Sequence, residues 1–71
     1  MTKYLIVIEE TATGFSAYLP DLPGCVGAGE SRAELETEMR SVVEFHVEGL
    51  REEGQEVPIP RTTATYVEVA A

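Results

Sequence analysis

One stretch, Ser31 to Gly54, carries a helical period, and it limits what the rest of the chain can build around it. Ser31 and Glu34 form an S-x-x-E capping box, which supplies acceptors for the unpaired N–H groups of a first helical turn. Leu35, Met39, Val42, Val43, His46 and Leu50 then recur at spacings of three, four and seven, tracing one apolar stripe. Glu44, Glu48 and Glu52 fall on the opposite side, and Gly54 supplies the stop. The pattern predicts one helix over about 32–53. A single helix covers a single face of a sheet.

Before that helix the chain reads as strands. The segment KYLIVIE, about 3–9, is apolar at successive positions, the mark of a strand covered on both faces and central in its sheet. A polar turn ending at Gly14 leads to a second strand over about 15–20, with Phe15, Ala17 and Leu19 on one side and Ser16 and Tyr18 on the other. The two should form a hairpin. A third, weaker strand over about 25–30 contains Gly27 and Gly29, which suggests a bulge or close approach by another backbone. After the helix, Pro58 and Pro60 favour an extended connector, and ATYVEVA reads as a last strand over about 64–70. The fold class is α+β in the order β-β-β-α-β, with a right-handed crossover placing the fourth strand parallel to the third.

At 71 residues this is one domain with a thin core. One cysteine excludes an internal disulfide, and Cys25 and His46 stand too far apart in sequence to read as zinc ligands. Self-association is the remaining source of added stability, since a core this small supplies no more than about 3–5 kcal/mol. The first strand is apolar on both sides while one helix covers one face, so a dimer, a higher oligomer or a foreign partner is expected on the other. Thirteen acids against five bases give a formal charge of −8, which repels phosphate backbones and attracts basic surfaces. Direct nucleic-acid binding by this chain is not expected. The apolar run Tyr4–Ile8 is too short for a signal-peptide core or a membrane span, so a cytoplasmic protein is expected.

The residue types for catalysis do not converge. Gly24, Gly27 and Gly29 run in the reverse of the dinucleotide fingerprint, and the Lys-Ser/Thr pair of a phosphate loop is missing. Cys25 reads as a buried strand residue and His46 as an edge of the core. No catalytic residue, metal ligand or cofactor site is assigned. Two features suit a partner instead. The acids Glu44, Glu48 and Glu52 make a stripe that is either a solvated face or a complement to a basic protein. In PDLPG, two prolines and Gly24 stiffen a loop that either sets strand register or presents Asp21, Leu22 and Pro23 as a preformed tip. Glu36 is placed to pair with Arg40 one helical turn on.

Taken in order, YLIVIEE, GFSAYLPDLPGCVGAGES and the acid-rich EFHVEGLREEGQEVPIP resemble the HicB-like antitoxins of toxin–antitoxin pairs, from about Tyr4 to Pro60. The resemblance implies a partial RNase H-like fold of the same β-β-β-α-β order. It also implies a partner, a small basic RNA-cleaving toxin of the HicA type whose active surface the antitoxin covers. Many members continue into a DNA-binding segment, and this sequence is expected to have none. The acids that hold metal in ribonucleases are not matched, since the first strand carries none before Glu9. The reading is a non-enzymatic antitoxin-like protein. Its alternative is an orphan acidic module that binds an unrelated protein or ligand.

Overall fold

The computed structural model describes residues 2–71. Three strands, β1 (Val7–Glu10), β2 (Phe15–Tyr18) and β3 (Val26–Gly29), precede one helix, α1 (Arg32–Glu52). The strands form an antiparallel sheet in the order β1-β2-β3. β2 is therefore central, and the apolar run expected there lies on an edge. Val7 faces Tyr18 and Glu10 faces Phe15 across the hairpin, whose loop is closed by the Thr11 N–H donating to the Gly14 carbonyl at 2.8 Å.

Each strand is shorter than its sequence pattern. Residues 4–6 continue β1 backwards but meet no partner strand, because β2 gives way to Pro20, which has no N–H to offer, and the chain turns there. Two linked turns follow. Leu22 N–H donates to the Leu19 carbonyl at 3.3 Å, and Cys25 N–H donates to the Leu22 carbonyl at 3.2 Å. The second turn has Pro23 at its second position and Gly24, at φ +93°, at its third, the type II arrangement. The Leu19 N–H reaches across the loop to the Cys25 carbonyl at 3.2 Å and closes it.

The helix begins and ends as its sequence dictates. Ser31 is extended (φ −115°, ψ 133°) and its Oγ accepts from the Glu34 N–H at 3.3 Å. At the other end Gly54 takes φ +72°, its N–H donating to the Arg51 carbonyl at 3.0 Å while the Gln55 N–H donates to the Leu50 carbonyl at 2.8 Å. That pair of bonds is a Schellman motif.

α1 packs on one face of the sheet, over β2 and β3. The core is Ala17, Leu19, Leu22, Cys25, Leu35 and Met39, with Tyr4, Ile6, Ile8, Phe15, Val43 and Val47 packed around it. Along the helix the row facing the sheet is Leu35 and Met39, both buried, then Val43 and Val47, both half-buried, each four residues after the last, and Val42 of the expected stripe is exposed. β3 can lie close under the helix because Gly27 has no side chain: a Cβ there would sit 2.7 Å from Met39 Sδ. On the opposite sheet face, Val7, Tyr18 and Val26 line up across the three strands, with Tyr18 and Val26 exposed. Among the described residues no strand or helix covers that row.

The expected fourth strand over 64–70 is not formed. The segment after α1 is instead tied down at two points and then leaves the domain. The Tyr4 hydroxyl donates to the Pro58 carbonyl at 2.6 Å, and Asp21 receives hydrogen bonds from Arg61 and Thr62. Beyond Thr62 every residue is exposed. Among the described residues no helix is long and apolar enough to cross a membrane.

Candidate functional site

The outer face of α1 is the one place where sequence expectation and exposed chemistry coincide. Glu48 stands nine positions after the buried Met39, about two and a half turns, and so points away from the sheet. Glu44 and Glu52, one turn to either side, are exposed with it. The three carboxylates form a row about 12 Å long. The ion pair on this helix joins Arg32 Nε to Glu36 Oε1 at 3.3 Å, so Glu36 pairs with the arginine before it and not with Arg40. None of Glu44, Glu48 and Glu52 is in an ion pair among the described residues.

Sequence reasoning passed over one large apolar residue on this side of the helix. Phe45 is 80% exposed, a whole aromatic ring on solvent. Its neighbours one turn away are Ser41 and Val42 before it and Glu48 and Gly49 after it, Val42 being exposed as well, and nothing lies within 4 Å of where a Cβ on Gly49 would sit. Of the acidic row only Glu48 is its neighbour, while Glu44 and Glu52 are exposed on the same outer half of the helix. The signal was present in the sequence as a large apolar residue one step off the buried stripe. An exposed aromatic ring on the same outer half of a helix as a row of carboxylates has the mixed apolar and polar composition found at protein interfaces.

The PDLPG loop does not present Leu22 at its tip. Leu22 is 0% exposed, folded inward by the two turns on either side of it, and belongs to the core. Asp21 points to the chain's own C-terminal segment: Oδ2 accepts from the N–H groups of Arg61 and Thr62, both at 3.0 Å, and Oδ1 accepts from the Thr62 hydroxyl at 2.8 Å. The Arg61 N–H, then the hydroxyl and N–H of Thr62, hold its carboxyl below the ordinary value of 3.8. Pro23 is exposed. Of the three loop residues, two are therefore engaged within the chain, and the stiffness read from the sequence serves to bury Leu22.

Cys25 and His46 are not brought together as a reactive pair. Cys25 is a free, buried thiol whose pKa burial pushes up, the reverse of what a nucleophile needs. His46 is half-buried on α1, and no side-chain hydrogen bond joins the two. Among the described residues no three His, Cys, Asp or Glu side chains group in a way that could hold a metal ion. The carboxylates lie in a row on a convex surface and do not converge.

The residues that build this sheet and helix match a known protein family. Residues 4–70 fit the HicB-like antitoxin of bacterial toxin–antitoxin systems. The chain belongs to the HicB-like antitoxin family. Two similar proteins place this HicB-like chain further. An uncharacterized 14.9 kDa protein from the rep-hol intergenic region of Haemophilus phage HP1 is 33% identical over 64 residues, 90% of this chain. Those residues are 48% of the phage protein, so the HicB-like chain spans about half of its relative. In the solved structure of the HicA3 and HicB3 toxin–antitoxin complex, one chain superposes with a TM-score of 0.69 at 35% identity, covering 84% of this chain and 70% of that one. Family and fold are thus shared with the HicB-like antitoxins.

Proposed function

We propose that this HicB-like chain binds a small, basic, RNA-cleaving toxin of the HicA type and masks its RNA-binding surface, acting by occupancy and without chemistry of its own. The observation that carries the reading is the outer half of α1, where Phe45 is 80% exposed and Glu44, Glu48 and Glu52 are exposed as well. A protein that has evolved to hold RNA presents a positive surface, and a row of carboxylates competes for it as a phosphate backbone does. The apolar ring would supply affinity where charge supplies steering and register. Support comes from the formal charge of −8, from membership of an antitoxin family and from the toxin–antitoxin complex among its structural relatives.

The β-β-β-α order is the first four elements of a partial RNase H-like fold, and we take the domain to be of that type. A cytoplasmic setting follows from a cytoplasmic target. Neither DNA nor a cofactor enters the proposal. Mixing the chain with a HicA-type protein from the same genome and measuring affinity by calorimetry across a salt series tests it. Affinity that falls as salt rises is expected. No complex, or one indifferent to salt, would favour the orphan acidic module.

A further inference from the structure

We infer that residues 63–70 of one copy add as a fourth strand to the free edge of β1 in a second copy, and that two copies exchange these strands reciprocally. The inference rests on the isolated chain and does not depend on the toxin.

Two segments of this chain look like strands and have no partner. Residues 2–6 lead into β1 and form no backbone hydrogen bond to another segment among the described residues, although Tyr4 and Ile6 are packed on the core. Residues 63–70 are rich in Thr, Val and Tyr, yet Tyr66 is 100% exposed and Val67 and Val69 are 78% and 77% exposed. An edge with unpaired N–H and C=O groups is a template for an added strand. Eight residues at about 3.3 Å each span roughly 26 Å, enough for the whole edge from Tyr4 to Glu10.

The faces fit as well as the lengths. Beside residues 2–6 an open groove runs under the helix, floored by Ile6, Leu19, Met39 and Val43. It is the place on the helix side of the sheet where a fourth strand next to β1 would bury side chains. In an extended tail Val67 and Val69 share one side and would fill it, while Tyr66 on the other side would lie next to Leu5 and Val7. Both sides of the tail carry apolar groups, as do both sides of β1.

A chain's own tail is turned away from its own groove. The three hydrogen bonds from Arg61 and Thr62 to Asp21 fix the backbone direction just before the segment begins, and from there it runs out into solvent. The radius of gyration, 14.0 Å, shows the effect, since a compact chain of this length would have about 11 Å. The groove is left open by the same geometry that delivers the tail to a neighbour.

Sedimentation velocity on the 71-residue chain tests the association, and a mixed-label relaxation experiment tests its route. Cys25→Ala, Ala70→Cys carrying a spin label at natural isotope abundance is mixed with ¹⁵N-labelled, unlabelled-thiol chain, so broadening reports contacts between copies only. We expect a dimer, broadening confined to the amides of β1 and the residues before it, and loss of the dimer in Val67→Asp, Val69→Asp. That variant replaces two exposed side chains, so its three-stranded core stays folded by circular dichroism. A monomeric parent chain, a dimer that survives the double substitution, or broadening centred on Tyr18 and Val26 would each overturn the exchange.

Discussion

Thr62 gives Asp21 two hydrogen bonds, one from its N–H at 3.0 Å and one from its hydroxyl at 2.8 Å, across 41 positions of sequence. With the Arg61 N–H these bonds clasp the C-terminal segment to the loop between β2 and β3. The clasp needs an ionised carboxylate, because three donors converge on two acceptor atoms. Asp21→Asn puts a donating amide among donors and breaks it. The amides of Arg61 and Thr62 should then exchange with deuterium at the rate of a free peptide, while those of α1 keep their protection. The same release should follow acidification in the parent chain. A carboxyl whose folded pKa is depressed contributes its stability above its unfolded value, ordinarily 3.8, and loses it as the pH falls through the lower folded value. The clasp therefore holds throughout the neutral range and opens only below about pH 3.8, a step the Asp21→Asn chain should lack.

Leu22 decides between a loop that makes contact and a loop that builds the core. At 0% exposure its truncation leaves a cavity under α1, and Leu22→Ala should cost about 2–5 kcal/mol. A domain this size has little more than that to lose, about 3–5 kcal/mol. Urea unfolding should thus show Leu22→Ala largely unfolded in buffer. An unchanged midpoint would restore the exposed-tip reading of the loop.

Gly14 is held by crowding and not by an unusual torsion. A Cβ on Gly14 would sit 2.3 Å from the Gly29 carbonyl oxygen and 2.9 Å from the Glu30 Cα, both backbone atoms that no side-chain rotation can move aside. Gly14→Ala must therefore push the start of β2 away from the end of β3. Gly24→Ala meets no neighbour but must adopt φ +93°, at a cost of about 1–3 kcal/mol. Thermal melts should rank Gly14→Ala as the more damaging, with proton chemical-shift changes spread through Ser31 and the first turn of α1. Equal and small effects would mean that the β2–β3 contact gives way easily.

What the sequence disclosed follows from how local each determinant is. The helix ends were legible because a cap and a glycine stop act within one turn: Ser31 bonds Glu34, and Gly54 bonds Arg51. The order of the first four elements was legible for the same reason, while the fourth strand expected over 64–70 was not formed. Strand position was not, because Tyr4–Ile8 reads the same whether its second neighbour is in the same chain or in another. The role of PDLPG was misjudged at Leu22, since Pro and Gly announce a turn without saying which side of it is filled. The acidic row was legible by period, but Phe45 was passed over because a residue one step from a stripe can rotate into either environment.

Phe45 and the acids beside it make opposite predictions for stability and for binding, which is what separates an interface from a structural surface. Phe45 contributes little to the fold at 80% exposure, so Phe45→Ala should move the unfolding free energy by no more than about 0.5 kcal/mol. If it anchors a toxin, the same substitution should weaken the complex by about 2 kcal/mol or more, roughly thirtyfold. The acids go further. Glu44, Glu48 and Glu52 repel one another at i,i+4 spacing, so replacing all three with glutamine should stabilise α1 by a few tenths of a kcal/mol per pair removed. Association with the toxin should meanwhile slow and its dependence on salt flatten, because steering by opposite charge acts on the encounter. A triple variant that is more stable, binds more slowly and no longer responds to salt places these carboxylates at the partner. One that gains stability and binds as before would assign them to solvent.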